Sequence, residues 1–137
     1  MSIKSFVISA ALIGLTACQS SDVAQVQDIE LQGTWNIEVV ADKPVIDYSP
    51  AQLIFAEEGN LSGNNSCNNF FGSYTIDGDN VRLMPAGNTM KACVDALMDQ
   101  EQRVMAAMPE VTNASLAKGK LLLKDAKGNT QLVLSRL

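Results

Sequence analysis

The chain has no histidine among its 137 residues. This absence excludes the commonest general base, the Ser-His and Cys-His nucleophile pairs, and the commonest side chain that binds transition metals. Carboxylate or lysine chemistry remains possible, but no stretch places two acids in an arrangement that demands it. We therefore predict a protein that is not an enzyme and that has no catalytic residue, cofactor or metal site.

Basic residues are also few, since ten Lys and Arg stand against fifteen Asp and Glu, for a formal net charge of -5. Without a basic field to collect phosphates, nucleic acid is not an expected partner. Acids dominate residues 22–79, whereas bases dominate residues 118–137. The simpler interpretation is that strands from these two regions pair and their surface charges complement each other. A polarised docking surface is the alternative.

The amino-terminal apolar run is too short for a membrane helix. It covers residues 6–15 after the positive Lys4, about half of the roughly 20 residues that span a bilayer, so it is typical of a secretory signal. Leu15-Thr16-Ala17-Cys18 follows and resembles the lipobox of bacterial lipoproteins. We predict a lipoprotein signal peptide at residues 1–17 and membrane attachment through lipidated Cys18. An ordinary signal peptide with an incidental cysteine is the alternative.

The residues after Cys18 indicate location and domain organisation. Gln19 follows the cysteine where an aspartate would signal retention, and by similarity to enterobacterial sorting this favours the outer membrane, facing the periplasm. Residues 18–30 are polar and are predicted to form a flexible tether. Residues 31–137 then form one domain.

Short alternating segments predict a β-rich fold. Trp35, Ile37 and Val39 alternate with Asn36 and Glu38, which is the period of a half-buried strand. Turn signals recur about every eight to twelve residues, as in an antiparallel meander. We predict an α+β fold: a curled antiparallel sheet of about eight short strands, forming a half-open barrel, packed on one helix. The predicted strands are residues 35–39, 53–55, 61–63, 70–76, 81–83, 115–116, 121–124 and 131–137.

The predicted helix starts near Val94 and ends at Pro109. Its apolar residues have the spacing of one helical face: Val94, Leu97, Met98, Val104, Met105 and Met108. Such a helix would cover the open side of the sheet. Four methionines could line a pocket between helix and sheet, although a methionine stripe more often belongs to the core: Met90, Met98, Met105 and Met108.

Glu101 interrupts this apolar face. A buried carboxylate must be paired or hydrogen-bonded. We expect its donors to be backbone N–H groups of an asparagine-rich turn at residues 64–69, or the hydroxyl of Thr89, so that Glu101 braces the turn against the helix. A catalytic role is the alternative, but no second acid or base has a defined place beside Glu101.

The asparagine-rich turn also holds Cys67. Asn and Gly tolerate positive φ, and Asn side chains replace ladder hydrogen bonds, so this stretch predicts a tight, irregular turn with a strand leaving from Phe70. Cys67 and Cys93 are the two cysteines of the predicted domain, and in the oxidising periplasm such cysteines usually pair. Their spacing is unlike CxxC, so we predict a structural disulfide rather than a redox-active one.

An ordered set of short motifs resembles the META domain family, whose best-known members are HslJ-type bacterial lipoproteins. The set covers residues 31–137, with Ser66 standing where the family usually has a glycine and Met90 and Lys91 in swapped order. The matching motifs are Leu31-x-Gly33-x-Trp35, Ser62-Gly63, Cys67-Asn68-x-Phe70-x-Gly72-Ser73-Tyr74, Thr89-Met90-Lys91-Ala92-Cys93 and Met98-x-x-Glu101.

The resemblance implies a compact antiparallel fold with one helix, no assigned reaction, and a link to heat shock and novobiocin resistance. Our leading functional hypothesis is a non-enzymatic envelope lipoprotein that supports outer-membrane integrity or stress tolerance by binding an envelope protein or lipid. The alternative is a carrier of lipid or peptide that uses a pocket between sheet and helix. The oligomeric state is left open.

Overall fold

The structure is a computed structural model that describes residues 29–137. The predicted signal peptide, Cys18 and most of the predicted tether lie outside the described residues. The described part is one nine-stranded antiparallel sheet with one α-helix, which confirms the α+β prediction. The elements are β1 Gly33–Val40, β2 Lys43–Pro44, β3 Ala51–Phe55, β4 Asn60–Asn64, β5 Asn69–Asp77, β6 Asn80–Asn88, α1 Asp95–Ala107, β7 Asn113–Ala117, β8 Lys120–Lys124 and β9 Thr130–Arg136.

The sheet curls until its two ends meet. Its strands follow in the order β1-β3-β4-β5-β6-β7-β8-β9, and β9 pairs back onto β1. The ring has a weak seam, because β6 and β7 share a single residue pair, Asn80 with Asn113. The 3₁₀ turn Met108–Glu110, which continues α1, packs against β6 beside this seam. The sheet is therefore ring-like without being a regular barrel, and the helix contributes Val104 and Ala107 to its core.

The additional strand, β2, lies between the predicted strands at residues 35–39 and 53–55, where the sequence predicted none. Ala41 and Asp42 both have positive φ, of 45° and 67°, and they turn the chain so that Lys43–Pro44 pairs with the end of β1. Two residues are too short for a periodicity signal, and this explains why the sequence predicted about eight strands.

Strand β1 departs from the predicted alternation at one point. Trp35 and Ile37 are buried as expected, but the next buried residue is Val40, whereas Val39 is only half-buried. The pairing of β1 with β9 shifts register between Ile37 and Val39. This bulge turns the following side chains to the opposite face, because the faces of a strand alternate with each residue.

The core fills the inside of the ring. Inward-facing side chains of the strands and one face of the helix form a single cluster. Ile29 and Leu31, which lie on either side of the predicted domain boundary, both pack in this cluster. The largest fully buried apolar side chains are Phe55, Phe70, Leu53, Leu61, Met108, Leu121, Leu123, Leu132, Leu134, Val40 and Val81.

The helix buries a different face from the predicted one. Val104 and Met108 are fully buried as expected, but Val94 and Met98 are 64 % and 37 % exposed. Gln100 is fully buried instead, where the helix contacts the loop that holds Ile46 and Ser49. The first turns of α1 face loops rather than the apolar interior, so polar contacts decide which residues are buried there.

Strands from the acidic and the basic region pair side by side, as the simpler interpretation of the charge distribution predicted. Strand β1 of the acidic region pairs with β9 of the basic region. Lys120 Nζ lies 2.5 Å from Glu38 Oε1. This hydrogen bond lowers the pKa of the Glu38 carboxyl below its usual value, with a further contribution from Ser135.

The two ends of the domain are joined by Arg136. Its guanidinium lies 4.4 Å from the centre of the Trp35 ring and donates to the carbonyl oxygens of Gln32, at 2.8 Å, and Glu30, at 2.6 Å. A Cβ at Gly33 would lie 3.0 Å from Arg136 Nη1, and Gly33 has φ of 127°. Gly33 is thus the residue that lets Arg136 lie across the amino-terminal segment.

Within residues 29–137, no helix has the length and apolar character that crossing a bilayer requires.

Gly72 offers a test of how tightly β5 and β6 pack. A Cβ at this position would meet the backbone oxygen of Met84 and lie 2.8 Å from Pro85 Cα. We expect Gly72→Ala to lower the free energy of unfolding by about 2 kcal/mol or more, because backbone must move to admit the methyl group. The neighbouring exposed Ser73→Ala is the control, with a change within about 0.5 kcal/mol. Chemical denaturation measures both, and equal stabilities would contradict the packing described.

Candidate functional site

The asparagine-rich turn is folded by its own side chains. Asn65 Oδ1 accepts hydrogen bonds from the backbone N–H groups of Cys67, at 3.2 Å, and Asn68, at 2.7 Å. Asn64 Oδ1 accepts one from the N–H of Ser66 at 2.8 Å. Asparagine amides therefore replace the ladder that a regular strand would supply. The predicted irregular turn is present, and the strand β5 leaves from it.

Asn68 connects this turn to the segment that follows β6. It is 3 % exposed, and its Oδ1 accepts from the Thr89 hydroxyl and from the backbone N–H of Lys91, both at 2.8 Å. Its Nδ2 donates to the carbonyl oxygen of Lys91 at 3.1 Å. Thr89 also accepts from the N–H of Asn69 at 3.1 Å. Asn68 and Thr89 thereby fix the backbone that leads to Cys93.

Glu101 joins three asparagines through one oxygen atom. Its Oε1 accepts from Nδ2 of Asn88 at 2.9 Å, of Asn68 at 3.0 Å and of Asn65 at 3.2 Å. The structure thus shows the expected brace between turn and helix, but the expected donors were wrong. The backbone N–H groups of the turn bond to asparagine oxygens, and the Thr89 hydroxyl bonds to Asn68, so side-chain amides supply the donors.

The disulfide between Cys67 and Cys93 is present, with 5.9 Å between the two Cα atoms. Cys67 is buried, whereas Cys93 is half-buried and lies two residues before α1. The bond joins two residues that are 26 positions apart in the sequence. In the chain-entropy model such a crosslink restricts the unfolded chain by about 3.5 kcal/mol. It therefore supports the same junction as Glu101, between the turn and the start of the helix.

Gln100 forms a second link from the helix, which the sequence did not reveal. Its Oε1 accepts from the N–H of Ile46 at 2.8 Å, and its Nε2 donates to the carbonyl oxygen of Ser49 at 3.3 Å and to the Ser66 hydroxyl. Gln100 is fully buried. A glutamine next to Glu101 on a charged helix carries no special pattern, so only the three-dimensional arrangement identifies it.

Ser66, at the position where the resemblance implies a glycine, has a backbone conformation that glycine adopts more readily. Its φ is 86°, in the left-handed region that favours glycine. The hydroxyl of Ser66 donates to the carbonyl oxygen of Ser49 at 2.9 Å and accepts from Gln100. The Ser49 hydroxyl donates in return to the carbonyl oxygen of Ser66 at 2.9 Å. These bonds offset the cost of the backbone conformation.

The remaining signature residues pack in the core. Phe70 is buried against Gly63, where a Cβ would lie 2.6 Å from its ring. Tyr74 packs edge-on against Phe55, with 5.0 Å between ring centres, and its hydroxyl donates to the carbonyl oxygen of Ala56 at 2.8 Å. Burial raises the pKa of the Tyr74 hydroxyl, and the negative charge of Glu30 raises it further. These side chains stabilise the fold.

The four methionines do not share one pocket. Met108 is fully buried in the core and Met105 packs against it, whereas Met90 is 92 % exposed and Met98 is 37 % exposed. Met90 and Met98 instead line an open cleft of about 250 Å³ on the surface, beside Glu101. Between helix and sheet, the space proposed for a carrier holds side chains of Gln100, Val104 and Met108.

Among residues 29–137, no three His, Cys, Asp or Glu side chains are grouped so that they could hold a metal ion.

The family model for the META domain matches residues 27–136, which is most of the chain. The chain belongs to the META domain family. No curated protein matches this META domain protein. Two solved structures do match, and both were determined by NMR.

One of the two structures is of a protein from Burkholderia xenovorans, with a TM-score of 0.64 and 21 % identity. It covers 98 % of this META domain protein and 99 % of its own chain. The other has a TM-score of 0.58 and 23 % identity, and covers 77 % of this chain and 89 % of its own. At these identities the likeness establishes a shared fold.

Glu101→Ala tests the brace of this META domain. The substitution leaves three asparagine amides without their common acceptor, so we expect the free energy of unfolding to fall by about 2 to 4 kcal/mol. Glu101→Gln keeps an acceptor oxygen and should cost only about 1 kcal/mol. The exposed neighbour Gln102→Ala is the control. Thermal unfolding measures all three variants, and an unchanged melting temperature for Glu101→Ala would contradict the bracing role of Glu101.

Two substitutions at Ser66 separate backbone strain from hydrogen bonding. Ser66→Ala and Ser66→Gly both remove the hydroxyl that binds Ser49 and Gln100, but glycine also relieves the positive φ, which is worth about 1 kcal/mol. We therefore expect Ser66→Ala to be the less stable variant by about that amount. Equilibrium unfolding in urea gives the order, and a more stable Ser66→Ala would contradict the role assigned to φ.

Proposed function

We propose that this protein is a non-enzymatic lipoprotein, held at the outer membrane through Cys18, whose META domain faces the periplasm and supports envelope integrity or stress tolerance by binding. The Cys67–Cys93 disulfide is the observation that carries the proposal. Structural disulfides persist in oxidising compartments such as the periplasm. The bond therefore agrees with export by the predicted signal peptide.

Use of Glu101 as a structural acceptor favours binding over catalysis. General acid–base or nucleophilic catalysis needs a second reactive group within hydrogen-bond reach of the first. Oε1 of Glu101 is committed to three amides. The other ionisable side chain that lines the cleft is Lys91, and the two form no ion pair within the described residues.

The filled space between helix and sheet favours a rigid binding domain over a carrier. Gln100, Val104 and Met108 are each fully buried there, and a core packed in this way has no room for an acyl chain without large displacements. The contacts of this domain would then use its outer surface. The chain between Cys18 and Ile29 could extend to at most roughly 40 Å, which limits how far from the lipid the domain could lie.

Cys18→Ala tests the anchor. We expect the unaltered protein, produced in a Gram-negative host, to incorporate a clickable fatty acid and to sediment with the outer membrane. The variant should lose the label and appear in the periplasmic fraction, because it lacks the Cys18 thiol that is the proposed point of acylation. Ser20→Ala serves as the matched control and should behave like the unaltered protein. An unlabelled, freely soluble unaltered protein would overturn the proposed anchoring.

The role in envelope integrity has its own readout. Loss of the gene should raise sensitivity to detergent and novobiocin, and the unaltered protein should restore resistance. The Cys18→Ala variant should restore it less well, because the domain is no longer held at the membrane. A deletion strain with normal resistance under heat and detergent stress would contradict this role.

A further inference from the structure

The cleft beside Glu101 is a preorganised surface feature. It lies between the start of α1 and the segment after β6, and has a volume of about 250 Å³. That segment is held by Asn68, which donates to the carbonyl oxygen of Lys91 and accepts from its N–H, and the disulfide at Cys93 holds its end. Its lining residues are Asn68, Asn88, Thr89, Met90, Lys91, Ala92, Met98 and Glu101.

The Glu101 side chain lines this cleft, and one of its two carboxylate oxygens accepts no hydrogen bond from the described residues. Oε1 accepts three amides, while Oε2 has no hydrogen-bond partner among the described residues. Arg103 Nη1 is the one buried side-chain nitrogen or oxygen in residues 29–137 that has no partner. Oε2, which also has none, is therefore accessible to solvent. The same reasoning applies to Asn88 Oδ1, because the amide nitrogen of Asn88 is turned toward Glu101.

The polar part of the cleft therefore offers acceptors and a negative charge, and its walls are apolar. Met90 and Met98 are among the exposed large hydrophobic residues of the domain. Their thioether side chains adapt to an aliphatic chain of a partner. A ligand that fits both features carries a cationic donor group at the end of an apolar stem.

The geometry of Glu101 selects among cations. Arginine prefers to engage both oxygens of a carboxylate with its planar fork. Here Oε1 is already occupied by amides, so only a single-point contact is left. A primary ammonium makes such contacts with three rotatable donors, and its four-carbon stem packs along apolar surface. An ethanolamine lipid fits less well, since its phosphate would follow the ammonium after only a short stem.

We infer that this cleft receives a lysine side chain of a partner polypeptide, with the ammonium on Glu101 Oε2 and Asn88 Oδ1 and the stem between Met90 and Met98. This inference rests on the proposed binding function and names its partner class. Lys91, which also lines the cleft, binds Asn68 through backbone atoms alone. The positive charge of Lys91 repels a second cation. Replacing Lys91 with an uncharged residue should therefore improve binding.

The experiment follows the Met90 and Met98 methyl signals by NMR in the soluble domain with its disulfide intact. The probe is Nα-acetyl-lysine methylamide, and the matched probes are the norleucine and arginine analogues. We expect saturable shifts of both methyl signals by the lysine probe with Kd of about 1 to 10 mM. The norleucine probe should bind at least about tenfold more weakly, because it lacks the charge-assisted bond.

Two variants locate the contact. Glu101→Gln keeps an oxygen for the three amides but places an amide donor in the cleft, so the lysine probe should bind at least about tenfold more weakly. Lys91→Met removes the opposing charge and should tighten binding about two- to fivefold. Both variants must keep the dispersed spectrum of the unaltered domain. If the Glu101→Gln variant loses its dispersed spectrum, the test rests on the Lys91→Met variant. Binding of the lysine probe by Lys91→Met that is weaker than or equal to binding by the unaltered domain would overturn the inference.

Several results would overturn the lysine assignment: no shift at about 50 mM probe, equal binding of norleucine, or tighter binding of the arginine analogue. A response to phosphatidylethanolamine bicelles without a response to the lysine probe would assign the cleft to lipid instead. None of these results would change the expected outcome of the Cys18 labelling experiment or of the gene deletion. Failure of the inference and failure of the proposed function are therefore separate outcomes.

Discussion

One carboxylate oxygen of Glu101 draws together three stretches of chain that are distant in sequence. Asn65 and Asn68 belong to the turn after β4, Asn88 ends β6, and Glu101 lies in α1. Each amide left without an acceptor in this partly buried place would be costly. The position of the helix relative to the sheet, the course of the segment after β6 and the shape of the surface cleft all depend on this shared acceptor.

Two further links make the junction rigid. The Cys67–Cys93 disulfide connects the turn to the entry of the helix, and Gln100 connects the helix to Ile46, Ser49 and the turn. Covalent, ionic and neutral polar contacts thus converge on a turn whose own backbone lacks a regular ladder. Such a polar junction specifies one orientation of the helix, a task that the few apolar side chains at the start of α1 could not perform alone.

Much of the fold could be predicted because it follows from local patterns. Alternation identified β1, turn residues separated the hairpins, and the presence of only two cysteines in the predicted domain indicated the disulfide. The pattern failed where a tertiary effect intervened. A bulge made Val40, rather than Val39, the inward residue. Polar contacts to loops placed Gln100 inside and left Met98 near the surface.

The site could be predicted in part. A carboxylate on an apolar helical face indicated a brace, and the asparagine-rich turn was its expected target. The identity of the donors could not be deduced, because it requires the register that brings Asn88 beside Asn68 at the end of β6, where Phe70 pairs with Asn88. The role of Ser66 required its φ, which no pattern of residue types supplies.

The contact between Arg136 and the amino-terminal segment has a mechanical consequence. Tension applied to the chain ahead of Ile29 first meets the core packing of Ile29 and Leu31 and the carbonyl oxygens of Glu30 and Gln32, which the guanidinium of Arg136 holds. It then enters β1, which is flanked by β3 on one side and β9 on the other. Two ladders share that load along the strand direction, and a domain loaded in this way resists extraction by many bonds acting together rather than one at a time.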